Sequence, residues 1–203
     1  MKGLWVALVA LAFGACVPDF AERGNAPVIL RITKINGSSG GGAGASGIGD
    51  VLNSDVLPVF NDNAELTFQV IPKNQGQSAR IFPGNLSDVE LEQYEVRYFR
   101  SDGQNTEGVD VPYRITGAMA TVAPFGTNAV ANIVVVRHQA KLEPPLKNLA
   151  QVDASSLQGA IGGGAIVLTT MAEITVRGRT TAGHAVEARG ALQINFADFA
   201  DSQ

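Results

Sequence analysis

The chain of 203 residues contains a single cysteine, Cys16, one tryptophan, Trp5, and two histidines, His138 and His184. One thiol closes no internal disulfide, so a folded domain here must be stabilised by its own core. Two histidines without a Cys/His cluster, an H-x-E or an HExxH cannot supply the three or four ligands of a zinc site. His138 is therefore read as ending a strand and His184 as opening one, with no metal and no cofactor assigned. Basic excess is missing as well: fifteen Lys and Arg stand against nineteen Asp and Glu, for a formal charge of -4. Nucleic acid requires a concentrated basic face, and that composition argues against one. No serine lies in a G-x-S-x-G elbow, so no catalytic residue is assigned and the chain is read as non-enzymatic. Long apolar runs are absent with one exception, residues 4–13 (LWVALVALAF), preceded by Lys2. Ten helical residues rise ~15 Å, about half a hydrocarbon core, too short to span a bilayer. The run has the length of a signal-peptide apolar region.

Gly14, Ala15 and Cys16 follow directly. The end Phe13-Gly14-Ala15-Cys16 resembles the lipobox of bacterial lipoproteins, in which the cysteine thiol receives a diacylglycerol and the chain is cut just before it. The resemblance implies a signal peptide over residues 1–15, lipidation at Cys16 and a lipidated tether over residues 16–26. Acyl chains contribute ~0.8 kcal/mol per buried methylene, so two or three hold a protein on a membrane essentially permanently. Phe13 stands where that family usually has Leu, and the alternative is ordinary cleavage after Ala12 or Gly14. Val17 replaces the Asp that favours inner-membrane retention, which points to the outer membrane of a Gram-negative cell envelope.

Beyond the tether, period-two alternation dominates. Val28, Leu30 and Ile32 alternate with Ile29, Arg31 and Thr33; Tyr94, Val96 and Tyr98 with Glu95, Arg97 and Phe99; Val186, Ala188, Leu192, Ile194 and Phe196 with Glu187, Arg189, Gln193 and Asn195. Such alternation gives each strand one buried and one wet face, the habit of antiparallel sheets. Seven strands are expected, over 28–35, 64–71, 93–100, 114–122, 129–138, 166–178 and 184–196, with a hairpin loop at 179–183 and a helical turn near 146–152. The fold class is all-β: a seven-stranded antiparallel immunoglobulin-like β-sandwich with long loops, spanning residues 27–199, with a C-terminal tail at 200–203. The strand order, and above all the closing stretch ITVRGRTTAGHAVEARGALQINF, resembles bacterial immunoglobulin-like and fibronectin-type-III-like domains. The paired cysteines and core tryptophan of true immunoglobulin domains are missing.

Several motifs carry less than their letters suggest. Gly42, Gly44 and Gly47 spell G-x-G-x-x-G, yet no helix pattern follows to place an N-terminus against a pyrophosphate. Acidic and amide residues between Asp50 and Asp62 fit no calcium-loop spacing, and Asx residues have local reasons to occupy turns. Glu90, Glu92 and Glu95 read as a wet strand edge. Phe60, Phe82 and Phe125 lie on loops, where they either plug the ends of the sandwich, the favoured reading, or form a contact patch. The Gly-rich segment 38–49 offers few side chains to a core and is expected to act as a flap or to order on meeting a partner. The leading functional expectation is an envelope-anchored lipoprotein presenting a β-sandwich to a protein partner, with the membrane contacted through the lipid. The alternative is a periplasmic carrier of a small molecule or carbohydrate.

Overall fold

The computed structural model describes residues 26–40, 51–73, 85–150 and 167–199. Cys16, the signal, the tether up to residue 25, the glycine motif at 42–47, Asp50, Phe82 and the tail at 200–203 lie outside them, whereas Ala26, expected in the tether, is buried in the core cluster. Eight strands form two sheets. β1 (Val28–Ser38), β3 (Asp62–Pro72) and β6 (Asn128–Val136) make a three-stranded sheet in the order β1-β3-β6. β2 (Val51–Asp55), β4 (Val89–Phe99), β5 (Ile115–Ala123), β7 (Leu168–Thr180) and β8 (Ala185–Ala197) make a five-stranded sheet in the order β2-β8-β7-β4-β5. A four-residue helix, α1 (His138–Lys141), follows β6, and 3-10 turns cover Asn85–Ser87 and Leu146–Leu149. No helix among the described residues is long and apolar enough to cross a membrane.

The alternation that marks the strands also sorts their faces. In β8, Val186, Ala188, Leu192, Ile194 and Phe196 are buried, and in β4 so are Tyr94, Val96 and Tyr98. These side chains meet Leu66, Phe68 and Val70 of β3 in one continuous apolar cluster shared by both sheets. Tyr98 ties the layers with a polar contact as well: its hydroxyl donates to the Val135 carbonyl of β6, while its ring meets Phe196 edge-on at 6.3 Å. Burial, with the Asp62 carboxylate as a further cause, pushes the Tyr98 phenol far above its ordinary value, so it remains a donor. The outer face of the five-stranded sheet is wet and laced with charge. Arg177 bridges Glu187 at 3.2 Å and Glu95 at 3.4 Å, and Arg189 reaches Glu187 at 2.9 Å and Glu173 at 3.5 Å.

Three expectations need correction. Among the described residues there are eight strands, not seven: β2 lies inside what the sequence presented as a single loop between the first two strands. Its inward positions are Leu52 and Ser54, and a serine at a core position breaks the apolar alternation. The sandwich is also not wholly antiparallel, because β2 runs parallel to β8, pairing Val51 with Gln193 through Asp55 with Ala197. Finally, His138 does not end a strand. β6 stops at Val136, and His138 opens α1 with its backbone N–H bound to the Asn61 side-chain oxygen at 2.7 Å. The closing hairpin stands where the turn chemistry put it. Thr180 N–H donates to the His184 carbonyl, and Gly183 takes a φ of 89°, which a side chain would disfavour.

Strand direction divides the sandwich into two ends. At the proximal end lie the start of β1, the end of β3, the start of β4 and the β7–β8 turn. At the distal end lie the end of β1, β2, the start of β3, the 100–114 connection, α1 and the start of β7. With a rise of about 3.3 Å per residue, the thirteen-residue β8 separates them by roughly 40 Å.

Candidate functional site

The distal end is organised around a buried carboxylate. Asp62 is the first residue of β3, beside a register shift against β6, and its side chain is wholly buried. A buried carboxylate without partners would be very unfavourable, and here every contact is a donor. Lys141 Nζ lies 3.0 Å from one oxygen and 3.1 Å from the other. Ser54 Oγ of β2 donates at 2.5 Å, the Gly40 backbone N–H at 2.9 Å and Ser39 Oγ at 3.3 Å. The Lys141 ammonium is equally buried. One carboxylate thus joins four segments: the residues after β1, the strand β2, the start of β3 and the last residue of α1. It also explains β2, because Ser54 occupies a core position only by finding this acceptor. Asp55 fixes the other side of β2 by accepting from the N–H groups of Leu57 and Phe199, each at 3.2 Å.

Loops anchored in this way carry apolar side chains into solvent. Phe60 is 50% exposed, Leu57 43%, Leu142 51%, Tyr113 56% and Val109 65%. Val51, Val167 and Met171 are exposed at or beside the same end, whereas among the described residues only Ile29, Leu86, Val122 and Val130 form the rest of the exposed large apolar set. The 100–114 connection that holds Val109 and Tyr113 is internally bonded. The Asn105 side chain accepts from Arg100 N–H, Asp110 from Thr106 N–H, and Arg114 pairs with Glu107 at 2.9 Å. Asp102 accepts from Gln104 N–H, and that bond, with the nearby Arg100, holds its carboxyl below the ordinary value. A tied loop presents its apolar groups at fixed positions, which lowers the ordering cost of binding.

The residues singled out from sequence separate. Phe60 is half exposed at the distal end and does not plug it, whereas Phe125 packs partly buried against the core at the proximal end. Asp62, once one of several acidic residues near a loop, is satisfied by a lysine ammonium. His138 and Asn61 bond each other, the ring Nδ1 at 3.1 Å, and His184 lies at the far hairpin. Among the described residues no three His, Cys, Asp or Glu side chains are placed to hold one metal ion. Glu90 and Glu92 are exposed, while Glu95 is drawn into the ion-pair network with Arg177 and Arg114. Lys141 went unread because its partner is 79 residues away, and nothing local distinguishes HQAK from a solvated turn. No protein-family model matches the chain, and neither a curated protein nor a solved structure matches it.

Proposed function

We propose that the chain is a lipoprotein of the cell envelope, held in the outer membrane through Cys16, whose immunoglobulin-like sandwich binds a protein partner with its distal loop end. The observation that carries this reading is the uneven placement of exposed apolar side chains. They gather on tied loops at the end opposite the one where the chain enters β1. An anchor before residue 26 would leave that end facing away from the membrane, roughly 40 Å out. Clustered exposed apolar groups rimmed by polar ones are the usual mark of a protein-binding surface. The carrier alternative has less support, because Leu52, Leu66, Phe68, Leu192 and Phe196 fill the space between the sheets at 0% exposure.

Two measurements test the proposal. The N-terminal peptide of the mature protein should begin at Cys16 and carry acyl mass, and Cys16→Ala should release or mislocalise the chain. Mature protein beginning upstream of Cys16, or lacking that mass, refutes the anchor. Photo-crosslinking residues at Phe60, Tyr113 and Leu142 in native envelopes should then capture one common partner, while the same probe at Ile29 or Leu86 should not. Equal capture from both ends refutes the distal surface.

A further inference from the structure

Edge strands leave a row of backbone donors and acceptors unpaired, and soluble proteins guard them with charge, proline, shortness or bulges. Four strands are edges here, β1 and β6 of the three-stranded sheet and β2 and β5 of the five-stranded one, and they differ in how they are guarded. β1 carries Arg31, Lys34 and a register shift beside Thr33, and β2 is only five residues long. β6 has no charge and no proline, but it exposes Asn128 and Asn132 and carries a register shift opposite Asp62 and Asn63. β5 likewise has neither charge nor proline, and residues 115–136 contain no Asp, Glu, Lys or Arg. Its outward side chains, Thr116, Ala118, Ala120 and Val122, are small and exposed. Among the described residues the one bond recorded to the side of β5 away from β4 is Arg137 Nη2 to the Thr116 carbonyl, at 2.9 Å. The one guard is a bulge, an extra residue between Ala118 and Thr121 relative to β4.

The charges beyond the two ends of this strand are complementary. Arg137 stands at the Thr116 end, and Glu90 flanks the other end on β4, opposite Val122. Among the described residues neither has an ion-pair partner in its own chain. We infer that β5 pairs with β5 of a second copy of this chain, antiparallel across a two-fold axis, fusing two five-stranded sheets into one. A two-fold at the strand midpoint, Met119, sets Ile115 opposite Ala123 and Ala118 opposite Ala120. It brings the Arg137 end of each copy to the Glu90 end of the other, twice per dimer. An uncharged strand meets no like charge when it pairs with itself, which is what an isologous contact requires. The bulges meet at the axis, where symmetry allows both copies the same bend.

The test uses the full chain in the cells that produce it. Two differently tagged copies, one with Ala118→Cys and one with Ala120→Cys, are co-expressed and oxidised. Directly opposed positions lie within disulfide reach, about 4.5–5.5 Å, whereas identical positions sit diagonally at about 7–8 Å. A mixed disulfide dimer should therefore form in clear excess over either variant alone, with circular dichroism and melting unchanged from the parent. Glu90→Lys should lower the yield, and combining it with Arg137→Glu should restore it. Equal cross-linking of single and mixed variants, or a yield indifferent to Glu90→Lys, overturns the inference. A cross-link to a different protein in place of the mixed dimer overturns it too, by assigning the edge to another chain's strand.

Discussion

Replacing Lys141 with methionine should be among the most damaging single changes available at the distal end. The substitution keeps the length and apolar stem of the side chain but removes the ammonium that lies 3.0 Å from Asp62. Both side chains are 0% exposed, so water cannot replace the lost partner without opening α1 or the β2 segment. Ser54, Ser39 and the Gly40 N–H still donate, yet they carry no compensating charge. Breaking a buried pair from one side costs about 3–5 kcal/mol, because the surviving charge stays desolvated. In a domain of this size that lowers the melting temperature by roughly 6–20 °C. Urea unfolding followed by far-UV circular dichroism should show a lower midpoint with an unchanged slope. Asp62→Leu alone should cost a similar amount by stranding the ammonium. The double variant should cost much less than the sum, since two apolar groups replace the pair. A loss under about 1 kcal/mol for Lys141→Met, or strict additivity in the double variant, would refute the claim that the two charges depend on each other.

In the closing strand, Ile194→Asp should destabilise by several kcal/mol because it buries an unpaired charge, whereas Gln193→Asp on the outer face should cost under about 1 kcal/mol. Equal melting shifts would mean the register is wrong. Tyr98 makes stability sensitive to alkali: its phenol is raised in the folded state, so above the ordinary value of about 10 the unfolded chain loses a proton that the folded chain keeps. That contribution is intact below pH 10 and falls by about 1.4 kcal/mol per unit above it. Tyr98→Phe should cost about 1–3 kcal/mol at neutral pH by orphaning the Val135 carbonyl, and should flatten the alkaline slope. An alkaline melting series that is parallel for the two proteins would contradict the assignment.

Most of the sheet architecture was legible because its signal is local. Each long strand repeats a two-residue pattern that survives without knowledge of its neighbours, and the turn before His184 carries its own glycine. Two things were not legible, for one physical reason. β2 offers Leu52 as its only fully apolar inward residue, and its second inward residue, Ser54, is acceptable only because Asp62 lies beside it. Lys141 reads as a solvated cation until folding brings β3 next to α1. Both depend on polar partners far away in sequence, and periodicity carries no record of such partners. Phe60 and Phe125 teach a related lesson. Both are loop phenylalanines next to turn residues, and only the course of the backbone separates the one that faces solvent from the one that caps the core.

The parallel alignment of β2 with β8 also decides how the domain would respond to a pull. The chain enters at the proximal end through Val28 and its last strand finishes at the distal end with Ala197, so tension between the two runs along the strands. Under that load β1 slides against β3 and β8 against both β2 and β7, and the ladder bonds, lying across the force, must rupture together and not one after another. Had β2 been absent, β8 would have been gripped on one side only. A sandwich fastened at its base and tugged from its far end would therefore resist as a sheared lap joint does, and the short strand hidden in a loop is the second glued face of that joint.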